Sequence, residues 1–354
     1  MKKLIMTAAG LAMAAGSAQA AGVERSSQSV AILFEKGRYA EFSAGFVSPS
    51  VSGSLTPPGI ASGDMAGSYT SLSFGYKQPL GENTDIAFIV DQPIGANVSY
   101  PVATVYPLRG TTATINSIAY TGLLRYHFPS NFSVYGGIRV QQASGDATIP
   151  FAAYTLTTGQ ETDFGYVLGV AYEKPEIALR VALTYNSEIT HRFENVIENG
   201  AASAPFSTTV PQSVNLEFQS GVAPDTLVFG NIRWVEWTAF DISPAVYVAG
   251  FGGPLSDYDS DSVSYNLGIG RRFNDQLSGA ITFGYEPSTG DITGNLGPTD
   301  GYKSVGLGLS YTRDNVKVTV GVRYVKIGDA TTSLGARFTD NDAVAAGLKI
   351  GVSF

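Results

Sequence analysis

The stretch Val344-Ala-Ala-Gly-Leu-Lys-Ile-Gly-Val-Ser-Phe354 decides the fold class. Val344, Ala346, Leu348, Ile350, Val352 and Phe354 share one face of an extended strand, and Ala345, Gly347, Lys349, Gly351 and Ser353 share the other. Strand side chains alternate with period two. A run of this length, apolar on one face and small or polar on the other, suits a tilted strand with lipid outside and a lumen inside. The phase recurs upstream. In 161–173, Phe164, Tyr166, Leu168, Val170 and Tyr172 oppose Asp163, Gly165, Val167, Gly169 and Ala171. In 177–188, Ile177, Leu179, Val181, Leu183 and Tyr185 oppose Ala178, Arg180, Ala182, Thr184 and Asn186. In 315–327, Val316, Val318, Val320 and Val322 oppose Lys317, Thr319, Gly321 and Arg323.

Working outward on this pattern predicts about fourteen strands. They fall at 39–47, 67–77, 84–91, 112–126, 131–142, 161–173, 177–188, 209–220, 225–237, 258–273, 277–287, 302–313, 315–327 and 343–354. The connections alternate. Short turns at 79–83, 129–130, 174–176, 221–224, 274–276 and 314 interleave with long segments at 48–66, 92–111, 143–160, 189–208, 238–257, 288–301 and 328–342. Short periplasmic turns and long extracellular loops are the outer-membrane arrangement, whereas a soluble sandwich has no reason to keep it. Strands entering the short turns carry Tyr76, Tyr126, Tyr172, Phe218, Phe273, Tyr311 and Phe354 near that end, as an interfacial aromatic girdle requires. The expected fold is all-β, a transmembrane antiparallel barrel of about fourteen strands.

Composition agrees. The 354 residues are 44% hydrophobic and only 15% charged, with Gly 41 and Cys 0. That apolar content excludes disorder. A net charge of −8 argues against a nucleic-acid binder, and the lack of Cys excludes disulfides and thiolate metal sites. Lys2 and Lys3, the apolar run 4–15 and the small-x-small site Ala18-Gln19-Ala20 form the three parts of a secretory signal. The expected division is a signal peptide at 1–20, an N-terminal segment at 21–38 and a barrel at 39–354. In the middle part Val30, Ile32, Leu33 and Phe34 precede any strand and need burial, so they suit a plug in the barrel mouth.

Ala21-Gly-Val-Glu-Arg-Ser-Ser-Gln-Ser-Val-Ala-Ile-Leu-Phe-Glu-Lys-Gly-Arg-Tyr-Ala-Glu-Phe-Ser43 resembles the start of FadL/TodX-type outer-membrane transporters. Val228-Phe-Gly-Asn-Ile-Arg-Trp-Val-Glu-Trp237, Asp91-Gln-Pro-Ile-Gly95 and Asp300-Gly-Tyr-Lys-Ser-Val-Gly306 resemble segments of the same family. The resemblance runs through most of the mature chain. It implies a fourteen-stranded barrel with an N-terminal hatch, located in the bacterial outer membrane. It also implies uptake of long-chain fatty acids or other hydrophobic compounds, with exit sideways through a gap in the wall. The family's Asn-Pro-Ala hatch motif is absent here, and 21–38 makes a short hatch.

The residues themselves offer little for catalysis. His127 and His191 belong to no Ser/His/Asp arrangement, and there is no G-x-S-x-G, so no enzyme activity and no cofactor are expected. Asp257-Tyr-Asp-Ser-Asp261 opens like a calcium loop but continues with Ser262 and Gly268 where such a loop needs Gly and Glu, which favours a solvated acidic loop over a metal site. Arg139, Arg180, Arg233, Arg272, Arg323, Glu217 and Lys349 fall on the lumen phase. A lumenal Arg has the fork geometry to clamp a carboxylate, and the alternative is a network of Arg–Glu struts. Arg139 and Arg180 rank first as ligand clamps, because Gly137, Ala178 and Ala182 leave room beside them; Arg233 follows. Leu227, Phe229, Val235 and Trp237 share an inward phase and suit an apolar pocket, with Phe229 and Trp237 as ligand contacts. The third strand, 84–91, is short for a full crossing and runs into Asp91-Gln92-Pro93. Proline cannot donate to a ladder, so this is the place for a lateral opening. Expected partners are hydrophobic small molecules, fatty acids among them, outer-membrane lipids and lipopolysaccharide, and the barrel-assembly machinery through Phe354. A general diffusion porin or a structural or adhesin barrel is the competing function.

Overall fold

The computed structural model describes residues 23–57 and 59–354, so the signal segment lies outside the described residues. The barrel strands are β1 (Tyr39–Ser50), β2 (Tyr69–Pro79), β3 (Thr84–Asp91), β4 (Thr112–His127), β5 (Phe132–Ile149), β6 (Glu161–Lys174) and β7 (Leu179–Asn186). They continue with β8 (Ser213–Ala223), β9 (Thr226–Val235), β10 (Ser262–Arg272), β11 (Leu277–Glu286), β12 (Tyr302–Arg313), β13 (Val316–Ile327) and β14 (Asp342–Ser353). Each pairs antiparallel with its sequence neighbours, and β1 pairs β14 from Tyr39↔Ser353 to Ser50↔Asp342, which closes the sheet. Closure leaves no terminal strand unpaired, the condition for a sheet to sit in hydrocarbon.

The alternation in sequence becomes an inside-out surface. Ile138 and Phe164 point outward at 63% and 68% exposed, in company with Leu72, Leu183, Leu267, Leu309 and Val322. Their inward neighbours Arg139, Val167, Arg180 and Lys349 are buried. An apolar band this extensive is tenable where lipid is the solvent, so the fold is that of an outer-membrane barrel. No helix among the described residues is long and apolar enough to cross a membrane.

The lower turns are tight. Arg313 pairs Val316 and Ala223 pairs Thr226, leaving two-residue turns in which Asp314 and Asp225 adopt left-handed φ of 53° and 57°. Asp tolerates that conformation better than most residues. The upper loops carry structure of their own that periodicity did not foretell. β5 runs on to Ile149, beyond the predicted end at 142, and Tyr154–Thr158 folds back against it. Further along, 189–193 pairs 206–210, and a short helix α1 covers Ala245–Phe251.

Candidate functional site

Residues 23–35 lie inside the barrel, and 36–38 are exposed ahead of β1. Val30, Ile32, Leu33 and Phe34 are all buried, packed with Ala87, Leu123, Tyr135 and Val167 from the walls. Apolar side chains ahead of the first strand find no lipid face, and burial in the lumen is their stable solution. The segment is tied to the wall on several sides. Arg125 donates to the Leu33 carbonyl at 2.9 Å and Lys77 to that of Glu35 at 3.0 Å. Ser29 donates to Glu217 at 2.6 Å, and Asn215 to the Ser27 carbonyl at 2.9 Å. Glu24 and Arg233 form an ion pair in which both side chains are almost fully buried. Breaking such a pair by removing one partner costs about 3–5 kcal/mol, because a charge is left uncompensated.

The wall is interrupted beside this segment. The β2–β3 ladder begins at Phe74↔Val90, and β2 residues 69–73 pair with β1 but have no partner on the β3 side. Beyond Asp91 the chain turns inward and resumes pairing with β4 over Gly95–Ser99. Residues 23–26 hold the inward turn. Arg25 N–H donates to the Pro93 carbonyl at 2.8 Å, Gly95 N–H to that of Val23 at 2.7 Å, and Ser26 Oγ to Asp91 at 2.5 Å. The wall closes again above, where Ala66 bridges Val98 and Gly67 N–H donates to the Asn97 carbonyl at 2.8 Å. Within the gap, the Leu72 N–H is satisfied by Gln92 Oε1 at 3.0 Å. Proline explains the interruption: it has no N–H to give β2, and its neighbours find partners in the N-terminal segment instead.

Two chambers adjoin the gap. The lower one, about 180 Å³, is lined by Ser43, Ser71, Ser73 and Gln92 at the wall and by Arg180, Glu217, Phe229 and Arg323 within. The upper one, about 210 Å³, lies under the outer loops and is more apolar, with Val47, Met65, Phe193, Phe240, Leu255 and Val325 in its lining. Arg25 lines both. Its guanidinium sits 3.5 Å over the Tyr69 ring and its Nε donates to the Gly95 carbonyl at 3.0 Å.

The loops roofing the upper chamber are tied together by Glu198, which is 2% exposed. Its carboxylate accepts from Tyr154 at 2.8 Å, from Val246 N–H at 3.0 Å and Tyr247 N–H at 3.1 Å at the start of α1, and from Ser203. Burial pushes its pKa up, but the bonds from Ser203, Val246, Tyr154 and Tyr247 outweigh burial and hold it below the ordinary carboxylate value. A depressed folded pKa gives stability that is present above the unfolded value, about 4.3, and is lost as pH falls through the folded one. The roof should therefore stay protected from limited proteolysis at any pH above the unfolded value and loosen as the pH falls below it through the lower, folded one. Glu198→Gln loosens it already at pH 7, raising the cleavage rate within 236–261 by roughly tenfold to a hundredfold.

The interior arginines are mostly engaged within the chain. Arg233 gives its fork to Glu24, Ser213 and Asn215, with Nε–Oε1 at 2.7 Å to Glu24, rather than leaving it open to a ligand. Arg139 donates to Thr121 at 2.9 Å and lines neither chamber. The space expected at Gly137 is taken by the backbone of β4, since a Cβ there would meet the Gly122 carbonyl. Arg180 stacks over Phe34 at 4.6 Å and reaches the lower chamber. Arg272 sits at the lower rim, paired with Asp225. Phe229 lines the lower chamber, while Trp237 packs against Phe240 and Tyr258 beneath the roof. His127 lies at the lower rim with Nε2 2.6 Å from Asp85, far from His191 under the outer loops. Asp257 pairs with Asp241 in a two-residue ladder, Asp261 accepts from Thr238 at 2.8 Å, and no group of metal-ligating side chains occurs among the described residues. Arg25 and the 189–193 hairpin escaped the sequence reading, because one lies before any strand and the other inside a loop.

These features define a class: an outer-membrane barrel with the segment 23–35 folded into the lumen, a wall interrupted after the third strand, and chambers beside that interruption. The chain matches no family model and no curated protein in sequence. In structure it is similar to a FadL homologue from Pseudomonas aeruginosa at TM-score 0.75 and 14% identity, covering 98% of this chain and 97% of that one. It is also similar to the Pseudomonas putida toluene transporter TodX, at TM-score 0.68 and 11% identity with 98% of both chains covered. The Ralstonia pickettii toluene transporter TbuX follows at TM-score 0.64 and 14% identity, again over 98% of both. The fold is shared across nearly the full length, as the resemblance in sequence implied.

Proposed function

We propose that this barrel carries hydrophobic compounds passively across the outer membrane. A compound enters under the outer loops, rests in the upper chamber, passes Arg25 into the lower chamber and leaves through the β2–β3 gap into the bilayer. The observation that carries this reading is the interrupted wall: a gap between Phe74↔Val90 and Ala66↔Val98 opens on a chamber, while residues 23–35 occupy the lumen. A general porin wants the reverse, an unbroken wall and a clear lumen. TodX and TbuX, described as toluene transporters, and CymD, described as a monoaromatic hydrocarbon channel, share the fold and support the substrate class. Long-chain fatty acids are carboxylated members of that class, and Arg180 and Arg323 line the lower chamber where such a head group would pass.

The test is binding. Ala113 lines the upper chamber, and Ala113→Trp fills it. Affinity of the purified variant for an apolar fluorescent probe should fall at least about tenfold, since most of a ligand's surface is buried in such a site. Unchanged affinity in a folded, heat-modifiable variant contradicts the assignment.

A further inference from the structure

The loop over the upper chamber contains a hairpin in which Ile189–Phe193 pairs Phe206–Val210, with His191 directly opposite Thr208. Side chains opposite each other in an antiparallel pair have Cβ atoms about 5 Å apart and share a face. Here that face is turned to the chamber: His191 and Thr208 both line it, flanked by Phe193, Phe206 and Val210. They are buried, at 1% and 8% exposed, yet His191 Nε2 and Thr208 Oγ1 have no hydrogen-bond partner. The other ring nitrogen, Nδ1, also lacks a well-aligned hydrogen bond but faces the charge of Asp163, with Oδ2 at 3.1 Å. That carboxylate favours the tautomer with the proton on Nδ1, which leaves Nε2 with a lone pair to accept a hydrogen bond. Burial lowers the His191 pKa against the opposing pull of Asp163, so the ring is neutral at pH 7.

At the end of the chamber formed by Phe193, Phe206 and Val210, apart from the charges that Glu24, Arg25, Asp146 and Asp257 contribute elsewhere in the lining, one acceptor and one hydroxyl thus stand side by side. A hydrocarbon filling the chamber would leave both unpaired, which is unfavourable for buried polar groups. A ligand hydroxyl satisfies both, donating to Nε2 and accepting from Thr208. A carboxylate has no proton to donate and would bring a second negative charge toward Asp163. We propose that the upper chamber selects apolar molecules bearing a neutral hydroxyl, with the hydroxyl held between His191 and Thr208 and the hydrocarbon against Phe193, Phe206 and Val210. This deepens, and rests on, the reading of the chamber as the binding site.

The experiment uses three probes of one shape, p-xylene, p-cresol and p-toluate, with the purified full-length protein in detergent. The wild type should bind p-cresol about tenfold more tightly than p-xylene, the factor that one well-made buried hydrogen bond supplies, with p-toluate weaker than p-cresol. In His191→Phe/Thr208→Val, p-cresol affinity should drop to that of p-xylene, while p-xylene binds as well as before or better. Thr208→Val alone should lose part of the preference and gives a milder variant if the double one folds poorly. Equal affinity of the wild type for p-cresol and p-xylene overturns the proposal, as does a preference surviving in the folded double variant or p-toluate binding as tightly as p-cresol. Those results leave p-xylene binding intact and the chamber reading standing. Failure of the wild type to bind either neutral probe overturns both.

Discussion

Deletion of residues 24–36 should raise the single-channel conductance of the barrel in planar bilayers by at least about an order of magnitude, because a lumen of fourteen strands is wide enough for water once nothing crosses it. The deleted stretch supplies Val30, Ile32, Leu33 and Phe34 to the lumen core and Glu24 to Arg233. It also supplies the Arg25 and Ser26 N–H groups that hold the chain beyond β3 inward at Pro93. The loss therefore acts twice. The lumen empties, and the wall is freed to close by extending the β2–β3 ladder past Phe74↔Val90. Cells carrying the deletion should become sensitive to bulky polar antibiotics while uptake of apolar compounds falls. Conductance and sensitivity equal to wild type would mean that these residues do not obstruct the lumen.

The second large effect is expected at the wall. Ser71 and Ser73 on β2 and Ser43 on β1 keep the lower chamber open beside the gap. Ser71→Trp with Ser73→Trp places two indoles there without touching a buried ion pair. The inward phase of both positions has room that the rest of the lumen lacks, so folding should survive, and apolar uptake should fall at least about tenfold as the chamber fills. Upper-chamber binding should remain. A folded double variant that transports at the wild-type rate would show that compounds do not leave by this side.

The barrel was legible because its lipid faces impose a pattern on every strand. Phe164, Tyr166, Leu168 and Val170 announce an outward face with no reference to anything distant, and β6 forms there. The end of the third strand at Asp91 was legible for a local reason too, the proline two residues on. The lumen was harder. Inward residues are held to no single chemistry, and their partners lie far away in sequence: Glu24 meets Arg233 across 209 residues, and period-two arithmetic carries no information about that meeting. It placed Arg233 inward correctly and said nothing of what fills its fork. The outer loops were harder still. The alternation Ile189, His191, Phe193 and Phe206, Thr208, Val210 is present in the sequence, but five residues on each side are too few to separate a roof hairpin from a barrel strand. Glu198, which binds two backbone N–H groups of α1, depends wholly on a loop-to-loop contact.

Reversible closure of the gap tests the central claim most directly. The chain has no cysteine of its own, so Ser73→Cys with Gln92→Cys can be joined by a short, reducible bifunctional maleimide in the folded protein. Transfer of an apolar fluorescent probe into the bilayer of reconstituted vesicles is then followed on one sample before bridging, after it, and after reduction of the linker. Lateral exit predicts that transfer falls to the protein-free rate on bridging and returns on reduction, with probe binding in the upper chamber unchanged throughout. Transfer at the full rate with the bridge in place would contradict it.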